Sequence, residues 1–337
     1  MPTTIAHLID DSSPGGVNRV LDHLLSSPML GRIGQHEIVR VKRGRLSTPS
    51  VQADIIVSHL SVCWRNLPLL VGLRGRYADR PLIHVEHSYS QGFVAANVAK
   101  RARFHSLLRT SYSLFDKVVA VSEGQAAWME LRGLVPAGRL VTIPPCVDLA
   151  PFLRVPSKQS DTTRVFGALG RFDRQKGFDI LIKAFRDARL EDAELHLIGD
   201  GPELARLREL ADGDPRICFR PFTDEPAAAI ASLDLVAMPS RWEPYGLVAL
   251  ETLAAARPLL CATRDGLGDH LRSGAFGVGG GSVSDWARAL EAAQRRDWSF
   301  TLRRGRQAAL QAEQRFAHRW RTLIEEHRRT TGERSAA

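Results

Sequence analysis

The chain has 337 residues, 44% of them hydrophobic and 25% charged, which excludes a disordered tract, a collagen-like repeat or a coiled coil and suggests two domains. Its net charge of +9 is unevenly placed: residues 1–155 carry 18 Lys and Arg against 11 Asp and Glu, residues 301–337 carry 9 against 4, and residues 156–300 carry 19 against 22. Uniform basicity is excluded, and without a recognition motif or an aromatic–basic platform nucleic acid is not an expected partner.

Met1-Pro2-Thr3-Thr4 leads straight into Ile5-Ala6-His7-Leu8-Ile9-Asp10, without the charged and apolar regions of a secretory leader. Strands are predicted over Ile5–Asp10, Glu37–Val41, Asp54–Ser58, Leu82–Glu86, Lys117–Val121 and Leu140–Ile143. A second series follows over Val165–Leu169, Glu194–Ile198, Ile217–Arg220, Leu233–Met238 and Leu259–Ala262. Most are continuous apolar runs separated by helix-length amphipathic stretches, the pattern of parallel strands buried on both faces. The expected fold is α/β, with two doubly wound Rossmann-like domains. The proline-punctuated stretch from Pro144 to Asp161 reads as the linker, giving domains over 1–155 and 156–300 and a basic helical segment over 301–337 with Trp320, Leu323 and Ile324 as its apolar face. The most apolar run, Gly246 to Thr263, is broken by Glu251 and Arg257 and falls short of the roughly 20 apolar residues that span a bilayer. Cys63, Cys146, Cys218 and Cys261 lie far apart without metal-ligand spacing, as reduced thiols of a cytoplasmic enzyme would.

In open α/β sheets ligands bind beyond the carboxyl ends of the strands, so the chemistry is sought in those loops. Asp10 to Arg19 contains Gly15-Gly16, whose backbone N–H groups suit phosphate oxygens as readily as a plain turn. His87 closes the strand before Ser88-Tyr89, while His84, inside it, reads as a structural histidine. Gly170-Arg171-Phe172-Asp173-Arg174-Gln175-Lys176-Gly177 sets two cations in a glycine-bounded loop, suited to a diphosphate or to solvent. Pro239 to Glu251 places Glu243 and Glu251 eight positions apart across a turn that opens a helix at Gly246. Either the pair accepts hydrogen bonds from sugar and ribose hydroxyls, or Glu243 caps the helix and Glu251 faces water.

Taken together, Gly170-Arg171…Lys176-Gly177, Ile198-Gly199-Asp200-Gly201-Pro202 and Pro239-Ser240…Glu243-Pro244-Tyr245-Gly246-Leu247…Glu251 resemble the retaining nucleotide-sugar glycosyltransferases of family 4, which have the GT-B fold. The likeness continues through Pro258, Gly266, Asp269 and Gly274, and reaches in scattered places to Gly15-Gly16, Glu86-His87-Ser88 and Pro144-Pro145. Ala256 stands where that family usually has Gly, and Gly268 and Asp269 stand for Pro and Glu.

The resemblance implies two domains across a cleft, with a C-terminal helix crossing back to the first. It implies that Arg171 and Lys176 neutralise the donor diphosphate and that Glu251 holds the ribose. Glu243, with the backbone of Tyr245, Gly246 and Leu247, would position sugar and phosphates, and Gly15 and Gly16 would approach the phosphates. His87 would sit beside the transferred sugar, and Pro221 and Phe222 would flank the base. His87, Arg171, Lys176 and Glu243 are thus the catalytic candidates. The implied partners are a nucleotide sugar, UDP-linked ahead of GDP-linked, and a glycan or lipid-linked acceptor of cell-surface polysaccharide synthesis, with no metal and no cofactor. The basic faces, including Lys100, Arg101, Arg103 and Arg109, add an anionic acceptor or the inner face of the cell membrane as an expected contact. A catalytically silent GT-B scaffold at the membrane is the alternative. A dehydrogenase is set aside, because Gly277-Val278-Gly279-Gly280-Gly281-Ser282 opens no βαβ unit.

Overall fold

A computed structural model describes residues 3–11, 15–44, 48–158 and 162–335, with side chains up to 327. Ser12–Pro14 of the Gly-Gly loop, Gln159–Asp161 of the expected linker and the side chains of Arg328, Arg329 and Arg334 lie outside the described residues.

The chain divides into two compact units, Met1–Val147 with Ala312–Ala337, and Asp148–Gln311. In the first, strands β1 (Thr4–Ile9), β2 (Gln35–Arg40), β3 (Ile55–Ser58), β4 (Leu82–Glu86), β5 (Lys117–Ala120) and β6 (Leu140–Thr142) form a parallel sheet in the order β2-β1-β3-β4-β5-β6. In the second, β7 (Val165–Leu169), β8 (Glu194–Ile198), β9 (Ile217–Arg220), β10 (Leu235–Met238), β11 (Leu259–Ala262) and β12 (Phe276–Val278) form another in the order β12-β11-β10-β7-β8-β9. β3, β4, β10 and β11 are buried along their whole length, as continuous apolar runs require, whereas β2, at a sheet edge, is exposed or half-buried throughout. Each sheet reverses its direction of growth once. The chain leaves β1 for β2 and returns to β3 on the other side of β1, and it leaves β7 for β8 and returns to β10 on the other side of β7. Diverging loops at such reversals open a crevice at the strands' carboxyl ends.

All eleven predicted strands are present, with ends shifted by at most two residues. β12 was not predicted, because three residues with a central Gly277 carry no apolar run. The unit boundaries differ from those read in the sequence. The chain passes to the second unit after Val147, not after 155, because the expected linker contains a helical turn, Ala150–Leu153, whose Phe152 is 2% exposed. Arg306, on helix Ser299–Leu310, donates to the carbonyls of Leu153 and Val155 and ties that helix to the second unit as well. The segment belonging to the first unit therefore starts at Ala312, not 301. Its helix, Ala312–Ser335, buries Trp320, Leu323 and Ile324, and Glu326 pairs with Lys117 on β5 at 2.8 Å. Ala256 has φ 47°, a left-handed conformation that costs an alanine about 1 kcal/mol and gives a physical reason for the family's glycine there.

Candidate functional site

The loops after β7 and β10 face each other at the reversal point of the second sheet. Asp173 accepts a hydrogen bond from the Lys176 N–H and caps the short 3₁₀ turn Arg174–Lys176. Gly177 then takes φ 69°, and a Cβ there would lie 2.3 Å from the Pro239 carbonyl oxygen, so only glycine lets the two loops touch. Arg241 locks them from the other side. Its N–H donates to the Gln175 carbonyl at 2.7 Å, and its guanidinium grips both carboxylate oxygens of Asp179 at 2.8 and 2.7 Å.

Held this way, Lys176 Nζ lies 2.6 Å from Glu243 Oε2, both side chains largely buried. The Glu243 N–H donates to Asp265 at 3.2 Å, and its carbonyl accepts from the Gly266 N–H at 3.0 Å. Glu243 therefore does not cap the following helix. That helix, Leu247–Ala254, is entered through Gly246 at φ 90° without a side-chain cap. Glu251 does not face water either: it is 1% exposed inside the same helix. Tyr245 packs against His270 with ring centres 4.8 Å apart, and its carbonyl accepts from His270 Nε2 at 3.0 Å. Leu247 opens the helix, whose first turn carries no side-chain cap.

The structure thus brings Lys176, Glu243, Tyr245, Gly246, Leu247 and Glu251 into one neighbourhood. Arg171 stands at its margin, largely exposed and paired with Asp173 at 2.7 Å. Pro221 and Phe222 follow β9 at the sheet edge, with Phe222 65% exposed. A cavity of about 230 Å³ bordered by Lys158, Thr163, Asp234 and Trp298 lies at the opposite, amino end of the strands, away from these loops. Glu194, His196 and Cys218 are the described side chains whose ligand atoms cluster within 4.8 Å, and they too lie on β8 and β9 away from the loops.

Gly15, Gly16 and His87 belong to the first unit. Gly15 has φ −175° and ψ 178°, plain extended backbone, and precedes helix Gly16–Ser26. His87 lines a small cavity of about 50 Å³ at the reversal point of the first sheet, together with Asp10, Val17, His59, Ser61 and Glu86. Its loop is shaped by Glu86, a residue given no role from the sequence. Glu86 accepts from the Ser88 N–H at 2.7 Å, the Tyr89 N–H at 3.0 Å and the Tyr112 hydroxyl at 2.8 Å, and lies 3.5 Å from His84. Burial alone would raise its pKa. His84 and these donors outweigh it and hold the carboxyl below its ordinary value.

Three further histidines went unnoticed in the sequence. His36 Nδ1 meets His7 Nε2 at 3.0 Å, His7 Nδ1 meets His59 Nε2 at 2.9 Å, and His59 Nδ1 meets His87 Nε2 at 2.8 Å. Desolvation lowers all four pKa values, to about 3 for His7 and about 4 for His87. Around them, His84 opposes protonation of His59 and His87 while Glu86 favours it at His87. These rings hold a proton less well folded than unfolded. The stability they give is therefore complete above the ordinary value of 6.5 and drains away as pH falls toward 4 and then 3. Thermal melts should show a steady loss below pH 6.5, up to about 1.4 kcal/mol per pH unit for each ring kept neutral. A flat profile down to pH 4 would contradict this.

Two family models match the chain, one described as Glycosyltransferase Family 4 over residues 14–151 and one described as Glycosyl transferases group 1 over residues 163–295. The lipopolysaccharide core biosynthesis glycosyltransferase LpsE of Rhizobium meliloti is 36% identical over 129 residues, which cover 37% of this chain and 37% of that protein. The D-inositol 3-phosphate glycosyltransferase of Pseudarthrobacter chlorophenolicus is 32% identical over 219 residues, 58% of this chain and 51% of that protein. The matched part thus spans between 37% and 51% of the length of these curated relatives. Among solved structures, Anabaena HepE in complex with UDP and glucose superposes with a TM-score of 0.68 at 18% identity, covering 99% of this chain and 100% of that one. Sucrose-phosphate synthase from Thermosynechococcus elongatus superposes with a TM-score of 0.70 at 18% identity, covering 99% of each chain. At such identities the likeness shows a shared fold, that of the GT-B glycosyltransferases.

Proposed function

Because the chain belongs to glycosyltransferase family 4 of the group 1 glycosyl transferases, we propose that it moves a sugar from a nucleotide diphosphate sugar to an acceptor hydroxyl with retention at the anomeric carbon. The donor is UDP-linked ahead of GDP-linked, and the acceptor is a glycan or lipid-linked glycan of cell-surface synthesis. The observation that carries this reading is the Lys176–Glu243 pair at the reversal point of the second sheet, beside a helix whose start has no side-chain cap. A relative solved with UDP, and another named for lipopolysaccharide core synthesis, support the choice of donor and acceptor class.

In this reading the donor diphosphate lies along the amino end of helix Leu247–Ala254. Lys176 and Arg171 take up the charge that grows on it as the glycosidic bond breaks, the task metal ions perform elsewhere, so no metal is required. Glu251 accepts from the ribose hydroxyls, and Glu243 orients both the sugar and the Lys176 ammonium. Phe222 with Pro221 faces the base. The displacement occurs on one face of the sugar, with the leaving phosphate oxygen taking the acceptor proton. A thermal-shift screen against UDP-, GDP- and ADP-sugars tests the core of the proposal. Donor at 100 times its Kd should stabilise the fold by about 2.7 kcal/mol, and absence of any shift would defeat it.

No helix among the described residues is long and apolar enough to cross a membrane. Arg109, on the expected basic face, is exposed, and its guanidinium donates to the carbonyls of Gly133 and Arg132. Lys100, Arg101 and Arg103 remain exposed, with Arg103 5.3 Å over the Trp64 ring. This cationic, aromatic face is proposed to meet an anionic acceptor or an acidic leaflet. Protein that fails to float with anionic liposomes at low salt would remove the leaflet.

A further inference from the structure

The four histidine rings form an unbroken line whose placement follows from strand register. Ile5 pairs with His36 across β1 and β2, Leu8 with Ser58 across β1 and β3, and Ser58 with His84 across β3 and β4. His36, His7, His59 and His87 therefore climb the sheet as a staircase, one strand across and two residues toward the carboxyl ends at each step. Side chains alternate with period two, so every step stays on the same face. His36 stands at the half-buried edge on β2. His7 is fully buried under the edge of Trp320, 6.1 Å between ring centres, and His87 opens into the cavity at the reversal point.

Each of the three contacts joins nitrogen to nitrogen, so each needs one proton, and a neutral imidazole carries only one N–H. Desolvation keeps the rings neutral. Two arrangements then satisfy all three contacts: every ring protonated on Nε2, or every ring protonated on Nδ1. The choice is made once for the whole line. At its outer end Nε2 of His36 is buried without a hydrogen-bond partner, so the line is coupled inward, from ring to ring. At the inner end His87 Nε2 is engaged with His59, leaving Nδ1 as the nitrogen available to a ligand.

We propose that His36, His7 and His59 are positioning residues that lock His87 into the one tautomer shared by the whole line, so that its Nδ1 meets a sugar hydroxyl in the cavity in a single fixed role, as acceptor or as donor. The role of that hydroxyl rests on the glycosyltransferase reading above; the tautomer of the line does not. A nitrogen held in one role takes the hydroxyl in one orientation only, which sets the orientation of the sugar at that carbon.

Nitrogen-15 spectra of histidine-labelled protein read the tautomers directly, in the absence of substrate. All four rings should share one tautomer, and a mixed set would overturn the proposal. A double-mutant cycle reads the function. His7→Phe should lower kcat/KM for transfer about 10-fold with UDP affinity unchanged, and should add nothing in a His87→Ala background, because it acts only through that ring. Losses that multiply would show His7 to be merely structural and would also overturn the proposal. His36→Phe, at the half-buried edge, repeats the cycle if His7→Phe does not fold. If the wild-type protein transfers no sugar, the glycosyltransferase reading falls while the spectra still decide the line of rings.

Discussion

Lys176→Ala is expected to lower transfer turnover by about 10²–10³-fold, the loss typical of removing one preorganised group aimed at developing charge. The argument rests on placement. Lys176 is held by a capped 3₁₀ turn, by a glycine that only its own conformation allows, and by loops locked through Arg241. In the proposed reaction its ammonium would therefore meet the leaving diphosphate without reorganising. The same change strands the Glu243 carboxylate, which is 8% exposed and now makes a 2.6 Å ion pair. A loss of about 1–3 kcal/mol of stability should accompany the loss of rate. Steady-state transfer assays and thermal melts on one preparation separate the two effects. Turnover within a factor of two of wild type would remove Lys176 from the site.

Glu86→Ala should be the most damaging single change in the first unit, costing about 3 kcal/mol, or a melting temperature lower by about 6–12 °C. Glu86 is a buried carboxylate with three donors on it, two of them the backbone N–H groups that shape the loop carrying His87. Removing it leaves those donors and the Tyr112 hydroxyl unpaired in the interior. Because its pKa is held below the ordinary carboxyl value, its contribution is present above that value and is lost as pH falls through the depressed one. The wild-type and variant melting curves should therefore converge at low pH. A loss below 1 kcal/mol near neutrality would show that the loop holds its shape without Glu86.

Much of this was legible in the chain, and the division between what was and what was not is physical. Strand ends such as Leu82–Glu86 and Glu194–Ile198 are written locally, as apolar runs punctuated by polar loops. The loops after β7 and β10 were legible because their glycines and charges sit within a dozen residues of each strand end. The Lys176–Glu243 pair was not, since it joins residues 67 positions apart and depends on β7 and β10 being neighbours. The histidine line was further out of reach. His36, His7, His59 and His87 share no spacing, and only the register of four strands places them on one face. Glu86 was in plain view beside His87, yet its role depends on Tyr112 and His84 converging on it from other points of the chain. The unit boundary was misplaced because prolines suggested a free linker, whereas Phe152 and Arg306 fasten that stretch to the second unit.

The first unit is made from both ends of the chain, since helix Ala312–Ser335 completes it. On a ribosome adding about 5–20 residues per second, residues up to Val147 would wait roughly 10–30 s for Ala312 to follow. Throughout that interval the ground where Phe316, Trp320, Leu323 and Ile324 will settle, including the His7 ring, stays open. The second unit, Asp148–Gln311, is contiguous and needs no later residue. The half synthesised second is thus free to fold first, and the half synthesised first is the one for a chaperone to shield.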